Sequence, residues 1–129
     1  MSTRARSASA KEKSQAATTP AVALRVAAIQ MASGPSVAAN LSEAEMLLEM
    51  AARQGAKLAV LPEYFAIMGM RDTDKVDARE VDGQGPIQHF LAAQAKLHNM
   101  WLVGGSVPLA CDAADKVRNS CLVYDNVGK

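Results

Sequence analysis

The feature that most constrains this chain is a recurring pattern: a short apolar run, a segment with helical spacing, then another short apolar run. Leu24-Arg25-Val26-Ala27-Ala28-Ile29-Gln30-Met31 is followed, after Gly34-Pro35, by a stretch from about Val37 to Gln54. Within that stretch Leu41, Ala44, Leu48 and Ala51 fall three and four apart on one stripe, while Glu43, Glu45, Glu49 and Arg53 point elsewhere. Lys57-Leu58-Ala59-Val60-Leu61 forms the second run, and Pro62 ends it because proline cannot donate to a sheet ladder. Runs of this kind suit strands buried on both faces of a parallel sheet, joined by a helix in a right-handed crossover. The fold class is therefore α/β.

Local signals mark the ends of these elements. Asn40, three residues before Glu43, has the spacing of a capping box, and Ser36 offers an earlier cap for the same helix. Gly55 stands where a left-handed residue would close it. The polar stretch Asp72–Gly85 reads as a loop or a frayed helical turn. Pro86 then starts a second helix as its first residue, with Ile87, Phe90, Leu91 and Leu97 as the buried stripe and Asn99 as the stop. Met100-Trp101-Leu102-Val103-Gly104-Gly105-Ser106 is a third strand, whose paired glycines call for close approach of another backbone. Pro108–Val117 reads as a polar loop, Ser120–Tyr124 as a fourth strand, and Asp125-Asn126-Val127-Gly128 as a hairpin turn. A turn with no return strand predicts that residues 21–129 are the N-terminal portion of a larger domain. There is no internal repeat.

Residues 1–20 differ in kind. Ser, Ala, Thr and Gln alternate there with Arg4, Arg6, Lys11 and Lys13, and no Ile, Leu or aromatic side chain is present. Such a segment cannot bury enough surface to offset its ordering entropy, so a disordered tail is expected. It lacks the apolar core of a secretory signal, and its Arg and Ser content only faintly fits an organelle transit peptide.

Composition excludes several function classes. The chain is 129 residues long, half of them apolar, with a net charge of +1. No apolar run reaches the roughly 18 residues that span a bilayer. The balanced charge supplies no basic face for a nucleic-acid backbone. Two cysteines, Cys111 and Cys121, match no zinc spacing, and the expected setting is a reduced cytoplasm. His89 and His98 have no partnering ligand pattern, and Gly83-Gln84-Gly85 follows a charged loop rather than a strand, which speaks against dinucleotide binding. No metal and no cofactor is expected. Met46, Met50, Met68, Met70 and Met100 read as core filler.

One carboxylate stands out. Glu63, in Leu61-Pro62-Glu63-Tyr64-Phe65, follows the carboxyl end of a predicted parallel strand, where ligand crevices of α/β sheets form. Held against Tyr64, Phe65 and Met68, it would be partly desolvated, which raises a carboxyl pKa and suits it to move protons. The alternative from the same pattern is a structural residue that caps the next turn or pairs with an arginine.

Five ordered blocks carry a resemblance. They are Val26–Met31; Asn40-Leu41 with its Glu/Ala/Leu helix; Gly55–Glu63; Trp101–Ser106; and Arg118-Asn119-Ser120-Cys121-Leu122-Val123-Tyr124. In their order and spacing they resemble the first part of a nitrilase-superfamily carbon–nitrogen hydrolase, nearest to its small-amide branch of deaminated-glutathione and omega-amidases. The resemblance implies a four-layer α-β-β-α sandwich and a Glu-Lys-Cys triad, with Glu63 matching the glutamate. It implies Glu63 as general base and acid, Tyr64 and Phe65 near the substrate pocket, a small amide as substrate, and a homo-oligomer at full length. Lys129 belongs to the turn and is not the catalytic lysine. Cys111 sits in a polar loop, and Cys121 is read as a small buried hydrophobe on a strand. The chain is thus expected to stop before the triad's lysine and cysteine and to be inactive by itself. The other function class is a non-catalytic fragment that acts by pairing through its open sheet edge.

Overall fold

The structure is a computed structural model and describes residues 22–129. The expected tail, residues 1–20, lies outside the described residues. In chain order the elements are β1 (Val26–Ala28), α1 (Val37–Arg53), β2 (Leu58–Val60), α2 (Asp74–Asp77), α3 (Pro86–Leu97), β3 (Trp101–Val103), β4 (Val107–Ala110), β5 (Val117–Ser120) and β6 (Val123–Tyr124). β1, β2 and β3 pair in parallel, and β6 joins antiparallel to β3, giving the order β1-β2-β3-β6. β4 and β5 form a separate antiparallel pair.

The helices begin and end for identifiable reasons. Ser36 caps α1, its hydroxyl accepting a hydrogen bond from the Ala39 N–H at 3.3 Å. The Asn40 capping box is therefore not formed. Asn40 is buried instead, and its carboxamide accepts from Gly34 N (2.9 Å) and donates to the carbonyls of Gly34 (2.8 Å) and Ala66 (2.9 Å). It ties the start of α1 to the loop after β2, a role that a residue pair three apart cannot reveal. Gly55, at φ +84°, closes α1 as expected. Pro86 is the first residue of α3, where its missing N–H leaves no intrahelical bond unmade.

One face of the four-stranded sheet is covered. Ala59 of β2 and Leu102 of β3 pack against Ala44, Leu48 and Ala51 of α1 and Ile87, Leu91 and Ala95 of α3. Strand side chains alternate between faces, so the neighbouring residues point the other way. On that second face Val26, Val60, Trp101 and Val123 remain exposed, Val26 at 59% and Trp101 at 49%. The strands are therefore buried on one face, not on both. A helical layer over a sheet with an apolar open side is half of an α-β-β-α sandwich.

Other sequence expectations need correction. Pro108–Val117 is a loop only between Ala110 and Val117, because Val107–Ala110 is a buried strand paired with Val117–Ser120. The strand expected at Ser120–Tyr124 breaks at Cys121: Ser120 ends β5 in one sheet and Val123 begins β6 in the other. Cys121 is accordingly exposed. Leu97 is exposed, and the buried stripe of α3 holds Gln88 and Gln94 in its place. Of the five methionines expected to be core filler, Met100 is fully buried, whereas Met46, Met50, Met68 and Met70 are exposed.

The open face sets the behaviour of the isolated chain. A purified 129-residue polypeptide is expected to self-associate with rising concentration, since apolar side chains left in water gain by covering one another. Sedimentation velocity should show this, and the double variant Val60→Lys/Val123→Lys should shift the population toward monomer. A sharp two-state melt of a strict monomer at every concentration would show that the open face is not a liability.

Candidate functional site

The site is built on the turn that leaves β2. Leu61 continues the sheet ladder, its N–H donating to the Val103 carbonyl at 2.9 Å, and its side chain is buried. Pro62 then turns the chain out of the sheet, so Glu63 stands just beyond the carboxyl end of a central parallel strand. Tyr64 follows with φ +51°, a conformation that a bulky residue adopts only when its surroundings impose it.

Three contacts impose it. The backbone of Gly105 passes so close to Pro62 that a Cβ there would lie 1.9 Å from the Pro62 carbonyl oxygen. Gly105 also has φ +57°, so glycine is required twice over. This is the close approach that the paired glycines called for. The hydroxyl of buried Ser106 accepts a hydrogen bond from the Tyr64 N–H at 2.8 Å. Asn119 of β5 reaches back to the site, its Nδ2 donating to Glu63 Oε1 at 2.9 Å.

The predicted site residues separate. Glu63 is exposed, so the partial desolvation expected from Tyr64, Phe65 and Met68 is not present. The reason is geometric: Phe65 turns inward, fully buried, with its ring centroid 6.4 Å from that of Phe90. Phe65 is thus a core residue here. Tyr64 is partly exposed, and its ring lies under the Lys75 ammonium, 4.0 Å from Nζ to the centroid. Sequence reasoning missed Ser106 and Asn119. The signal available for Asn119 was its place in the Arg118-Asn119-Ser120 block, which carried the family resemblance without a role for the side chain.

The loop after the site is organised by Asp74. Its carboxylate accepts from the Met70 N–H (2.8 Å), the Arg71 N–H (3.0 Å) and the Arg71 guanidinium (2.9 Å at Nε). The Arg71 N–H first, then the guanidinium, holds the Asp74 carboxyl below the usual aspartate range. A cleft of about 550 Å³ runs along Pro35, Val37, Ile67, Met70, Arg71, Asp74, Asp77 and Ala78, and Glu63 does not line it. Cys111 is partly buried and Cys121 exposed, and both are free thiols. Neither belongs to the Glu63 cluster. Among the described residues no group of three or more His, Cys, Asp or Glu side chains is arranged to hold a metal ion.

Glu63 thus stands fixed at the carboxyl end of a central parallel strand, and comparison with known proteins identifies the class. Residues 25–129 match the carbon–nitrogen hydrolase family, and the chain belongs to it. Over 102 residues it is 34% identical to deaminated glutathione amidase of Synechocystis sp., covering 78% of this chain and 37% of that protein. It is 35% identical over 100 residues to omega-amidase NIT2 of Danio rerio, covering 78% of this chain and 35% of that protein. Among solved structures, Saccharomyces cerevisiae Nit3, a member of branch 10 of the nitrilase superfamily, superimposes with a TM-score of 0.73 at 28% identity. That match takes in 82% of this chain and 41% of Nit3. The chain spans a little over a third of the length of these curated relatives.

The Asp74 network yields a pH prediction. Its carboxyl is lowered by folding, so its contribution to the order of the Met70–Asp77 loop is fully present above the ordinary aspartate pKa. That contribution is lost as pH falls through the lower folded value. Amide exchange at Met70 and Arg71, compared with amides of α1, is expected to stay protected at mildly acidic pH and to accelerate first under stronger acid. Asp74→Asn should remove the pH dependence and leave these two amides fast throughout.

Proposed function

We propose that these residues supply the general base of a hydrolase acting on non-peptide carbon–nitrogen bonds of small amides, with Glu63 as that base. The observation that carries the proposal is the restraint on Leu61-Pro62-Glu63-Tyr64. A solvent-facing carboxylate needs no such anchoring for stability, yet its segment is fixed from Val103, Gly105, Ser106 and Asn119. Membership of the carbon–nitrogen hydrolase family and similarity to proteins named as amidases support the same reading.

In this mechanism the Glu63 carboxylate takes the proton of a cysteine thiol, and the thiolate forms a C–S bond with the amide carbon. A lysine ammonium stabilises the oxyanion of the tetrahedral intermediate. The C–N bond breaks as Glu63 passes its proton to the departing nitrogen, releasing ammonia. Glu63 then takes a proton from water, whose oxygen attacks the thioester; the C–S bond breaks, Glu63 returns that proton to the departing sulfur, and the carboxylic acid leaves. Lys129, Cys111 and Cys121 are not assigned to this triad, so its lysine and nucleophile lie outside these residues and the 129-residue chain alone is inactive. Tyr64 is the nearer candidate for a pocket wall, because Phe65 is committed to the core. The two free thiols fit a cytoplasmic setting, and a homo-oligomer is the expected assembly of the whole protein. The open sheet face favours a second reading, in which this segment acts only by pairing with another chain.

The discriminating experiment is Glu63→Gln in the protein expressed from the complete reading frame. Glutamine keeps the shape and the Asn119 contact partner but cannot accept the thiol proton, so kcat toward short omega-amides is expected to fall about 10²–10⁴-fold with the melting temperature unchanged. Activity within about tenfold of wild type together with a lowered melting temperature would make Glu63 a structural residue.

A further inference from the structure

We propose that Asn119 is a positioning residue for Glu63, holding the carboxylate by Oε1 so that Oε2 faces the proton it must take. The inference rests on the reading of Glu63 as general base and adds to it the group that aims it. Asn119 and Glu63 are 56 positions apart in sequence, and both are exposed. A hydrogen bond between exposed side chains contributes little to stability, because water replaces either partner readily. What the bond does supply is direction. A free glutamate side chain samples many rotamers, whereas a carboxylate engaged at one oxygen presents the other along a defined line. Among the described residues Oε2 has no hydrogen-bond partner.

Asn119 can aim Glu63 only if its own backbone is fixed, and the fold fixes it. Asn119 in β5 lies opposite Pro108 in β4. Pro108 is buried and has no N–H, and its carbonyl accepts from the Glu80 N–H at 3.0 Å on the side away from β5. The Glu80 carbonyl in turn accepts from Ala110 N at 2.8 Å, so β4 is clamped on both edges. Glu80 is 6% exposed, and its carboxylate accepts from Ile87 N (2.6 Å), Gln88 N (3.1 Å) and Gln88 Nε2 (3.1 Å) at the start of α3. Hydrogen bonds thus tie α3 to Glu80 and Glu80 to β4, and β4 pairs with β5, the strand that carries Asn119. The same hairpin sends Ser106, just before β4, to the Tyr64 N–H. The backbone after Glu63 and the carboxylate itself are therefore held by the two strands of one hairpin.

The test uses the protein expressed from the complete reading frame and measures kcat and KM toward a short-chain omega-amide. Asn119→Leu, nearly isosteric but without a donor, should lower kcat about 10–100-fold with KM within about threefold and the melting temperature unchanged. Asn119→Asp should fall further, since a second carboxylate repels the first, and Asn119→Gln should recover part of the loss. Adding Asn119→Leu to Glu63→Gln should cause no additional loss, because a residue that acts only through Glu63 has nothing left to aim. A crystal structure of Asn119→Leu should show the Glu63 carboxylate displaced or in several rotamers. Full activity of Asn119→Leu beside an inactive Glu63→Gln would overturn the positioning role and leave the base assignment intact. Full activity of Glu63→Gln would overturn the base assignment itself. An unmoved Glu63 carboxylate in the Asn119→Leu crystal would overturn the positioning role whatever the kinetics.

Discussion

Where the chain leaves β3, the Gly105 backbone lies against the Pro62 carbonyl with no room for a side chain between them. Most of what distinguishes this structure from a generic βαβ unit depends on that contact. It turns the chain out of extended geometry two residues after β3 ends at Val103, since a residue at φ +57° cannot continue a ladder. It turns the following residues away from the four-stranded sheet and starts β4 in a different direction. It also brings the Ser106 hydroxyl within reach of Tyr64, and so stabilises a backbone conformation that tyrosine would otherwise avoid. Any larger residue at position 105 would have to move the Pro62 carbonyl, and with it the residue that follows.

The second sheet is a consequence of the same geometry. β4 is fully buried through Val107, Pro108 and Leu109, although it pairs with only one strand along its length. Its other edge is closed by the isolated bridge between Glu80 and Leu109. A buried carboxylate is ordinarily costly, but Glu80 receives two backbone N–H groups and a carboxamide at the start of α3, where the helix dipole also favours a negative charge. Its charge is felt at Tyr124, whose hydroxyl pKa is held above the ordinary tyrosine value by burial first and then by Glu80 and Asp82. One residue therefore joins α3 through its carboxylate and β4 through its backbone, and its charge reaches the end of β6.

The sequence made the helices and the parallel strands legible because their signals are local. Spacing on α1, Pro86 at the start of α3 and Gly55 after α1 each act within a few residues. The paired glycines after β3 were readable for the same reason: their conformational freedom is a property of the residue type. What was not legible depended on partners far away in sequence. Asn40 looked like a cap because its bond to Ala66, 26 residues on, leaves no local trace. Pro108–Val117 looked like a loop because a proline is rare inside a strand, but Pro108 directs its carbonyl to Glu80 and away from β5, so the pairing with β5 does not call on its missing N–H. The expectation that the strands are buried on both faces failed for a related reason. An apolar run does not reveal which of its faces will be covered, and here α1 and α3 cover only one face of the sheet.

The site follows the same division. Glu63 could be singled out from Pro62 and its strand, but Phe65 could not be separated from it by pattern, since both follow the same turn. Backbone geometry separates them: with Tyr64 in a left-handed conformation, the carboxylate and the phenyl ring leave on opposite sides, one to solvent and one to the core. That inversion lets a single short segment anchor itself by Phe65 while offering Glu63 outward. It also explains why the carboxylate is exposed in a segment so firmly held. Its apolar neighbours are spent on the core, and what shapes Glu63 on its open side is the hairpin that carries Asn119. Any group that comes to pack on Glu63 must therefore approach from that open side, because its own segment leaves the carboxylate exposed.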